Sequence, residues 1–332
     1  MLDRVRDVVL LSRVRLARNL ADLPFPAQMQ PEQAETALLR AANALAREPV
    51  GQDYTLHRIE ELPGEQSRAL AERRVISPEL LEAGPFAAVL IRRDEAVSIL
   101  LNEEDHLRIH ALLPGLALEE AAMLAFAVDE AIGRHLRYAF DAEWGFLTSC
   151  PANTGTGMRA TALLHLPAMT HTGAIGELVR ELAKVNVQLR PFLGEKGNAK
   201  GELYLLGNQV SLGITEEELL GALEAVLDQI VDRERAAREL MLVRDDGLLK
   251  DRLLRSVGIL QNAQRLGETE WVRRWSDLRL AVQAGWFSMD LSALDALLDA
   301  AKPAHLEIAA GHELTPAERD AHRAEMMRAA LG

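Results

Sequence analysis

From Thr215 to the carboxyl terminus the sequence offers almost nothing from which a strand could be built, and this restricts the fold more than any other feature. Ala, Leu, Arg and Glu dominate there and β-branched residues thin out. Thr215, with Glu218 three residues on, reads as the N-cap of the first long helix. Before about residue 213 the chain is of another kind. PEQAETALLRAANALARE (31–48) has the spacing of an amphipathic helix with proline in its first turn. FAAVLI and AVSILL (86–91 and 96–101), joined by the charged RRDE, predict an antiparallel hairpin. Residues 117–136 and much of 175–185 read as helices, and GELYLL and QVSLG flank Gly207-Asn208 like strands around a second turn. Strands and helices do not alternate regularly. The expected class is therefore α+β, a mostly antiparallel sheet with packed helices, followed by an all-α carboxyl-terminal domain. A length of 332 residues fits two domains, and the expected division, 1–230 and 231–332, falls inside that first long helix.

Composition narrows the function classes. With 48% hydrophobic and 26% charged residues, a well-packed core is expected. No apolar run approaches the ~18 residues of a membrane span. The opening MLDRVRDVVLLSRVRLARNL has only a four-residue apolar stretch hemmed by charges, unlike a signal or transit peptide. A single cysteine permits no intramolecular disulfide, which suits a cytoplasmic protein. A formal net charge of −13 makes nucleic acid a poor default partner.

Four short stretches are too polar for their surroundings. In Leu11-Ser12-Arg13-Val14-Arg15-Leu16, an extended backbone puts Arg13 and Arg15 on one face, where two cations repel unless a polyanion lies between them. On spacing alone a solvated strand edge explains them as well. Asn102-Glu103-Glu104-Asp105-His106-Leu107-Arg108 follows an apolar strand directly; it suits an exposed acidic turn, or a general base beside an arginine. Cys150-Pro151, then Asn153, Gly155 and Gly157, then Arg159, combines the only thiol with a glycine-containing turn. That thiol could be a nucleophile, a metal ligand, a substrate-positioning group or a buried structural cysteine, and the turn's N–H groups could cradle phosphate. Leu189-Arg190-Pro191-Phe192-Leu193-Gly194-Glu195 precedes the loop KGNAKG, a lid or an ordinary connection. Together they supply Arg13, Arg15, Arg108, Arg159 and Arg190 with Glu104, Glu195 and Cys150. Guanidinium groups converging on one place imply a highly charged anion, and a triphosphate fits. No Walker-type loop or protein-kinase signature is present.

These stretches also carry a resemblance. Ser12 to Asn19 with Pro24-Phe25-Pro26, Asn102 to Arg108, and Cys150 to Ala160 resemble, in order, the signatures of the phosphagen (guanidino) kinase catalytic domain, whose fold is glutamine-synthetase-like. The likeness extends over roughly residues 7–237. More narrowly the chain resembles the bacterial protein arginine kinases. Like them it shows no counterpart of the small amino-terminal helical domain of creatine and arginine kinases. Residues 251–260 (DRLLRSVGIL) and Arg319-Asp320-Ala321-His322-Arg323-Ala324 resemble motifs of their helical carboxyl-terminal domain.

The resemblance implies an ATP-dependent kinase for arginine side chains of proteins, acting in stress response and protein quality control. By similarity Glu104 is the catalytic carboxylate, Glu195 the second one holding the guanidinium, and Cys150 a thiolate positioning substrate without a covalent intermediate. A thiolate amid arginines has its charged form favoured. Leu11 to Arg15, Arg74, Arg108, Arg159 with Ala160, Thr161, Ala162 and Leu163, and Arg190 to Glu195 would contact the nucleotide or shape its pocket. Mg2+ would ride on the phosphates, with no dedicated protein metal site. Residues 319–324 would bind phosphoarginine, in a domain that also dimerises. Implied partners are arginine-exposing proteins, a zinc-binding activator protein, a heat-shock repressor and Clp machinery, with no membrane or nucleic acid. Two departures stand out. Arg74 occupies the place of a nucleotide-contacting histidine before Val75-Ile76-Ser77-Pro78, and Arg190-Pro191 replaces Arg-Gly, removing an N–H donor. They leave open a silent phosphoarginine-binding adaptor, beside a kinase for a free guanidino metabolite. Elsewhere, His165 reads as a packed histidine, and Trp271, Trp275 and Trp286 as a helical core or dimer contact.

Overall fold

The computed structural model describes residues 5–195 and 198–332. The chain divides into two compact units, neither a continuous run: Leu11–Ala162 with Gly207–Ala225, and the residues up to Leu10 with Leu163–Leu206 and Val226–Gly332.

The first unit is built on antiparallel strands. β1 (Val9–Arg18), β2 (Tyr54–Arg58), β3 (Ala88–Arg92), β4 (Val97–Leu101), β5 (Leu107–Pro114) and the start of β6 (Met158–His165) lie in the order β2-β3-β4-β5-β1-β6. The hairpin expected around RRDE forms, with Leu90 opposite Ile99 and Val89 opposite Leu100. β4 is buried along its whole length, so its run of apolar residues is that of a central strand covered on both faces. One face of β3 and β4 is covered by Leu70, Val75, Ile76 and Leu80, which pack on Val89, Ile91 and Leu100. Leu70 lies in α2 (Gly64–Glu72). α1 (Pro31–Ala46) buries Ala34, Ala37, Leu38, Ala41 and Leu45, one stripe of a 3.6-residue period. That helix packs on α3 (Leu118–Gly133), which packs on β5.

The second unit holds β7 (Val187–Pro191), most of β8 (Leu203–Asn208), α4 (Pro167–His171) and α5 (Ile175–Ala183). β8 lies between β7 and the end of β6. The helices after Thr215 are α6 (Glu216–Val243), α7 (Leu248–Asn262), α8 (Glu268–Gln283), α9 (Leu291–Ala300), α10 (Pro303–Ala310) and α11 (Pro316–Leu331). Trp271 and Trp275 are fully buried on α8, and the indole of Trp275 donates to the Leu294 carbonyl at 2.9 Å. Trp286 lies beyond the end of α8 and is partly exposed, with the Lys250 ammonium 5.5 Å from its ring centre.

One expected turn does not form. β8 runs straight through Gly207-Asn208, and residues 209–213 are not a strand. Gly207 is needed for close approach rather than for a turn: a Cβ there would lie 2.8 Å from the Thr161 side chain and 3.0 Å from the Ala160 carbonyl oxygen. Asn208 is buried; its Oδ1 accepts from Ala160 N at 2.9 Å and its Nδ2 donates to the Met158 and Val210 carbonyls.

Three buried polar groups shape the second unit. Arg279, fully buried, donates to Asp295 at 2.8 Å and to Nδ1 of His165 at 3.1 Å. That nitrogen is therefore the bare one, and Nε2 donates to Ser276 at 2.7 Å. Glu234 accepts from Ala168 N and Met169 N, both at 2.9 Å, capping α4. Burial outweighs those donors and pushes the Glu234 carboxyl up to about 7. A carboxyl raised in the folded state contributes stability below its unfolded value near 4.5, which is lost as pH rises through about 7. Glu234→Gln, lacking that titration, gains on the wild type between pH 5 and 8 by up to a few kcal/mol. Melting curves across that range check this; a difference independent of pH would refute the buried charge.

Candidate active site

Every site residue in this section up to Gly157 and Arg159 belongs to the first unit. β1 pairs with β5 so that Arg15 faces His110, Arg13 faces Leu112 and Ala17 faces Arg108. Directly opposite residues of a pair share a face of the sheet. Arg13, Arg15 and Arg108 therefore form one cationic row, with His110 among them. The same face carries Leu100 and Ser98 on β4 and Val89 and Ile91 on β3, so the row continues from a largely apolar, covered core. Ser12 and Val14 point the other way: the Ser12 hydroxyl donates to the Gly115 carbonyl at 2.9 Å and accepts from Ala117 N at 3.0 Å. Arg18 belongs to that second face too. It is fully buried, pairs with Asp129 at 2.7 Å and lies 3.5 Å from the Phe146 ring centre.

The acidic stretch is the connection between β4 and β5, and its three carboxylates have three fates. Glu103 is buried and takes both contacts of one Arg108 nitrogen at 2.7 and 2.9 Å. Burial raises the Glu103 carboxyl above its ordinary range, partly offset by Arg108. Glu104 takes the other terminal nitrogen of Arg108 and stays 40% exposed, the accessible one of the pair. Asp105 is fully buried, and its Oδ1 accepts from Asn19 Nδ2 at 2.6 Å and from Ser149 N at 2.7 Å. One carboxylate oxygen thus ties the neighbour of Glu104 to the neighbour of Cys150.

His106 completes the tie. Its backbone N–H donates to Asn19 Oδ1 at 2.9 Å, and its Nδ1 accepts from Leu20 N at 3.1 Å. Burial pulls the imidazole down to about 4. Asn19, Asp105 and His106 are framework residues that the sequence reading passed over as site residues. Their signal was present: polar side chains flanking Arg18 and Glu104 at strand ends. Asp105→Asn is expected to loosen the Cys150 turn. It should cut turnover about 10²-fold and speed alkylation of Cys150 by iodoacetamide, with the circular-dichroism spectrum unchanged. Unaltered alkylation would show that Asp105 does not hold that turn.

Cys150 is a partly exposed free thiol preceding the short 3-10 turn Pro151–Asn153. Arg159 is the turn's buttress: Nε donates to Asn153 Oδ1 at 3.1 Å, and the terminal nitrogens to the Asn208 and Ala152 carbonyls. Burial lowers the Arg159 pKa, against the influence of Cys150, which raises it. Two amides of the glycine-containing turn are committed within the protein rather than open to phosphate. Gly155 N donates to the Phe146 carbonyl and Thr156 N to the Ser211 carbonyl. The glycines serve packing: a Cβ on Gly155 would lie 2.1 Å from the Ser211 oxygen, and one on Gly157 2.5 Å from Arg18.

Ala160, Thr161 and Ala162 are buried within β6. Arg74 closes α2 in the left-handed region (φ 67°), a position that favours glycine or asparagine. In the second unit, Leu163 is buried, Arg190 is exposed near the end of β7, and Pro191, Phe192 and Leu193 follow. Gly194 and Glu195 form a short antiparallel pair with Asn198 and Ala199. The Glu195 side chain lies outside what the structure describes, as do residues 196 and 197. On α11, Thr315 and Glu318 make a capping box. Arg319, Asp320, Ala321 and His322 are half-buried, while Arg323 and Ala324 are buried. Among the described residues no three His, Cys, Asp or Glu side chains gather as a metal cage.

Comparisons with known proteins show the family of the chain. Residues 38–237 match the family model of the ATP:guanido phosphotransferase C-terminal catalytic domain, and residues 246–332 that of the protein-arginine kinase McsB C-terminal domain. A protein-arginine kinase of Moorella thermoacetica is 42% identical over 98% of this chain and 94% of its own length. One from Caldanaerobacter subterraneus is 40% identical over 100% of this chain and 99% of its own. Among solved structures, a lombricine kinase is similar with TM-score 0.61 and 21% identity, over 70% of this chain and 67% of that one. The duplicated taurocyamine kinase of Schistosoma mansoni gives 0.66 at 20% identity, over 82% of this chain and 39% of its own.

Proposed function

The chain belongs to the ATP:guanido phosphotransferase family, and from that premise we propose that it is an ATP-dependent protein arginine kinase. One observation carries this reading: Arg108 links the cationic row to Glu104, and Asp105 ties Glu104's neighbour to Cys150's. A polyphosphate on Arg13, Arg15 and Arg108 would compete for Arg108 and free Glu104. Glu103, buried and bound to the other nitrogen, would keep Arg108 in place.

A guanidinium is a poor nucleophile because it is protonated at neutral pH. As the P–N bond to the substrate arginine forms, the bond from the γ-phosphorus to the bridging oxygen of the nucleotide breaks, and one N–H proton passes to Glu104. The arginines offset charge on the transferring group. Cys150, as thiolate, would orient the guanidino group, with Glu195 as its second carboxylate. Mg2+ would ride on the phosphates, since it usually keeps waters and phosphate ligands. Arg74, Arg159 with the buried residues of β6, and Arg190 to Glu195 would shape the nucleotide site.

Residues 231–332 would form the helical domain that binds phosphoarginine at residues 319–324 and dimerises. Protein substrates with exposed arginines, a zinc-binding activator, a heat-shock repressor and Clp machinery are the proposed partners, in the cytoplasm. No helix among the described residues is long and apolar enough to cross a membrane. The test is incubation with ATP and either casein or free arginine, followed by assay of acid-labile phosphate. Label on casein but not on free arginine supports the reading. Label on free arginine alone points to a metabolite kinase, and none on either to a binding protein.

A further inference from the structure

The cationic row contains one member that the mechanism above does not use. His110 lies on β5 between Arg15 of β1 and Ser98 of β4. It is 2% exposed, and neither ring nitrogen has a hydrogen-bond partner among the described residues. Buried polar groups are normally satisfied, so an imidazole with both nitrogens unpaired is costly to bury. The charged groups that face the ring are Arg15 and Arg13 from β1 and Arg108 from its own strand. Its neighbour on β4 is uncharged, and the Ser98 hydroxyl is committed to the Val75 carbonyl at 2.5 Å. Glu103 and Glu104 reach this group only through Arg108.

Resting on the reading of this row as the nucleotide site, we propose that His110 is its floor and a proton-linked positioning residue. It is neutral beside the three arginines and gains a proton when a nucleotide polyphosphate binds to them. The electrostatics have one direction. A fourth cation among three guanidinium groups is unfavourable, and burial adds to that, which holds the imidazole well below its ordinary range. A polyphosphate reverses the sign of the local field and supplies acceptor oxygens for the ring's unsatisfied nitrogen. Proton uptake on binding requires affinity to rise as pH falls.

The experiment is calorimetric titration of the full chain with ADP. It is run in two buffers of different ionisation enthalpy and repeated from pH 6 to 8, for wild type and His110→Gln. Comparing the two proteins cancels protons that the nucleotide itself exchanges. Wild type should take up roughly half to one proton more than the variant near pH 6.5. Its affinity should fall about three- to tenfold more than the variant's between pH 6 and 8. Equal uptake and parallel pH profiles would overturn the role of His110 while leaving the nucleotide site intact. No ADP binding by wild type at any pH would instead defeat the site reading on which it rests. If His110→Gln does not fold, wild type alone decides: buffer-independent heats with a flat profile overturn the proposal, and uptake seen as a shift of the ring nitrogens of a ¹⁵N-histidine-labelled sample supports it.

Discussion

Glu104→Gln eliminates arginine phosphorylation, with a loss of about 10²–10⁴-fold in turnover, and leaves the fold unchanged. The carboxylate lies in a connection rather than in the core, and it is 40% exposed. Its ionic partner among the described residues, Arg108, retains Glu103 at 2.7 Å, so the arginine is not stranded. Arg108 is only 10% exposed, but it keeps one carboxylate, and stability should change little. The amide cannot accept the guanidinium proton, so the chemical step fails while the phosphate site persists. Three measurements check it: phosphoarginine formation on casein, ADP affinity, and the melting temperature. Turnover near the wild-type rate would remove Glu104 from its role. Lost ADP binding would mean that it serves the nucleotide instead.

Arg323→Ala is expected to have the largest effect on stability. The resemblance assigns Arg323 to phosphoarginine, yet its guanidinium is buried at 2% exposure. It donates to the Ala301 carbonyl at 2.9 Å, the Leu266 carbonyl at 2.6 Å and Asp320 at 2.8 Å. These contacts clamp α11 to the chain preceding α8 and to the end of α9. Removing the side chain strands two carbonyls and opens a cavity, which costs about 3–5 kcal/mol. The midpoint should fall by roughly 5–10 °C. A drop in phosphoarginine binding by this variant would therefore mix two causes. Asp320→Asn separates them, because Asp320 is half-exposed and is not a core group. It should weaken phosphoarginine binding about tenfold or more and lower the midpoint little. Calorimetry with free phosphoarginine beside melting curves reads both. A wild-type midpoint for Arg323→Ala would disprove the clamp, and unchanged affinity for Asp320→Asn would make these contacts solely structural.

How much was legible follows from which interactions are local. The hairpin β3–β4, the helices α1 and α3 and the cap at Thr215 were readable, because alternation, 3.6-residue spacing and capping act within a few residues. The placing of Arg13 and Arg15 on one face followed from strand periodicity alone. Gly207-Asn208 misled, because a turn dipeptide also suits a strand crossed closely by another backbone. Only the neighbouring strand decides between the two. The sequence left open whether the Gly155-Thr156-Gly157 turn cradles phosphate; tertiary structure commits two of its amides, those of Gly155 and Thr156, to the Phe146 and Ser211 carbonyls.

The sequence by itself determined the fold class, the helical character after Thr215, and the presence of arginines, carboxylates and one thiol suited to phosphoryl transfer. These depend on residue type and short spacing. Tertiary structure alone decided which of those groups act together. The three adjacent carboxylates diverge into an anchor, an accessible carboxylate and a tether, because Glu103 and Asp105 are buried and Glu104 is not. The β1–β5 register brought His110 into the arginine row, from a strand about a hundred residues away in sequence. Burial set Arg323 apart from Asp320, three residues before it on one helix. Burial, register and hydrogen-bond commitment are properties of neighbours in space, and a linear pattern carries no record of them.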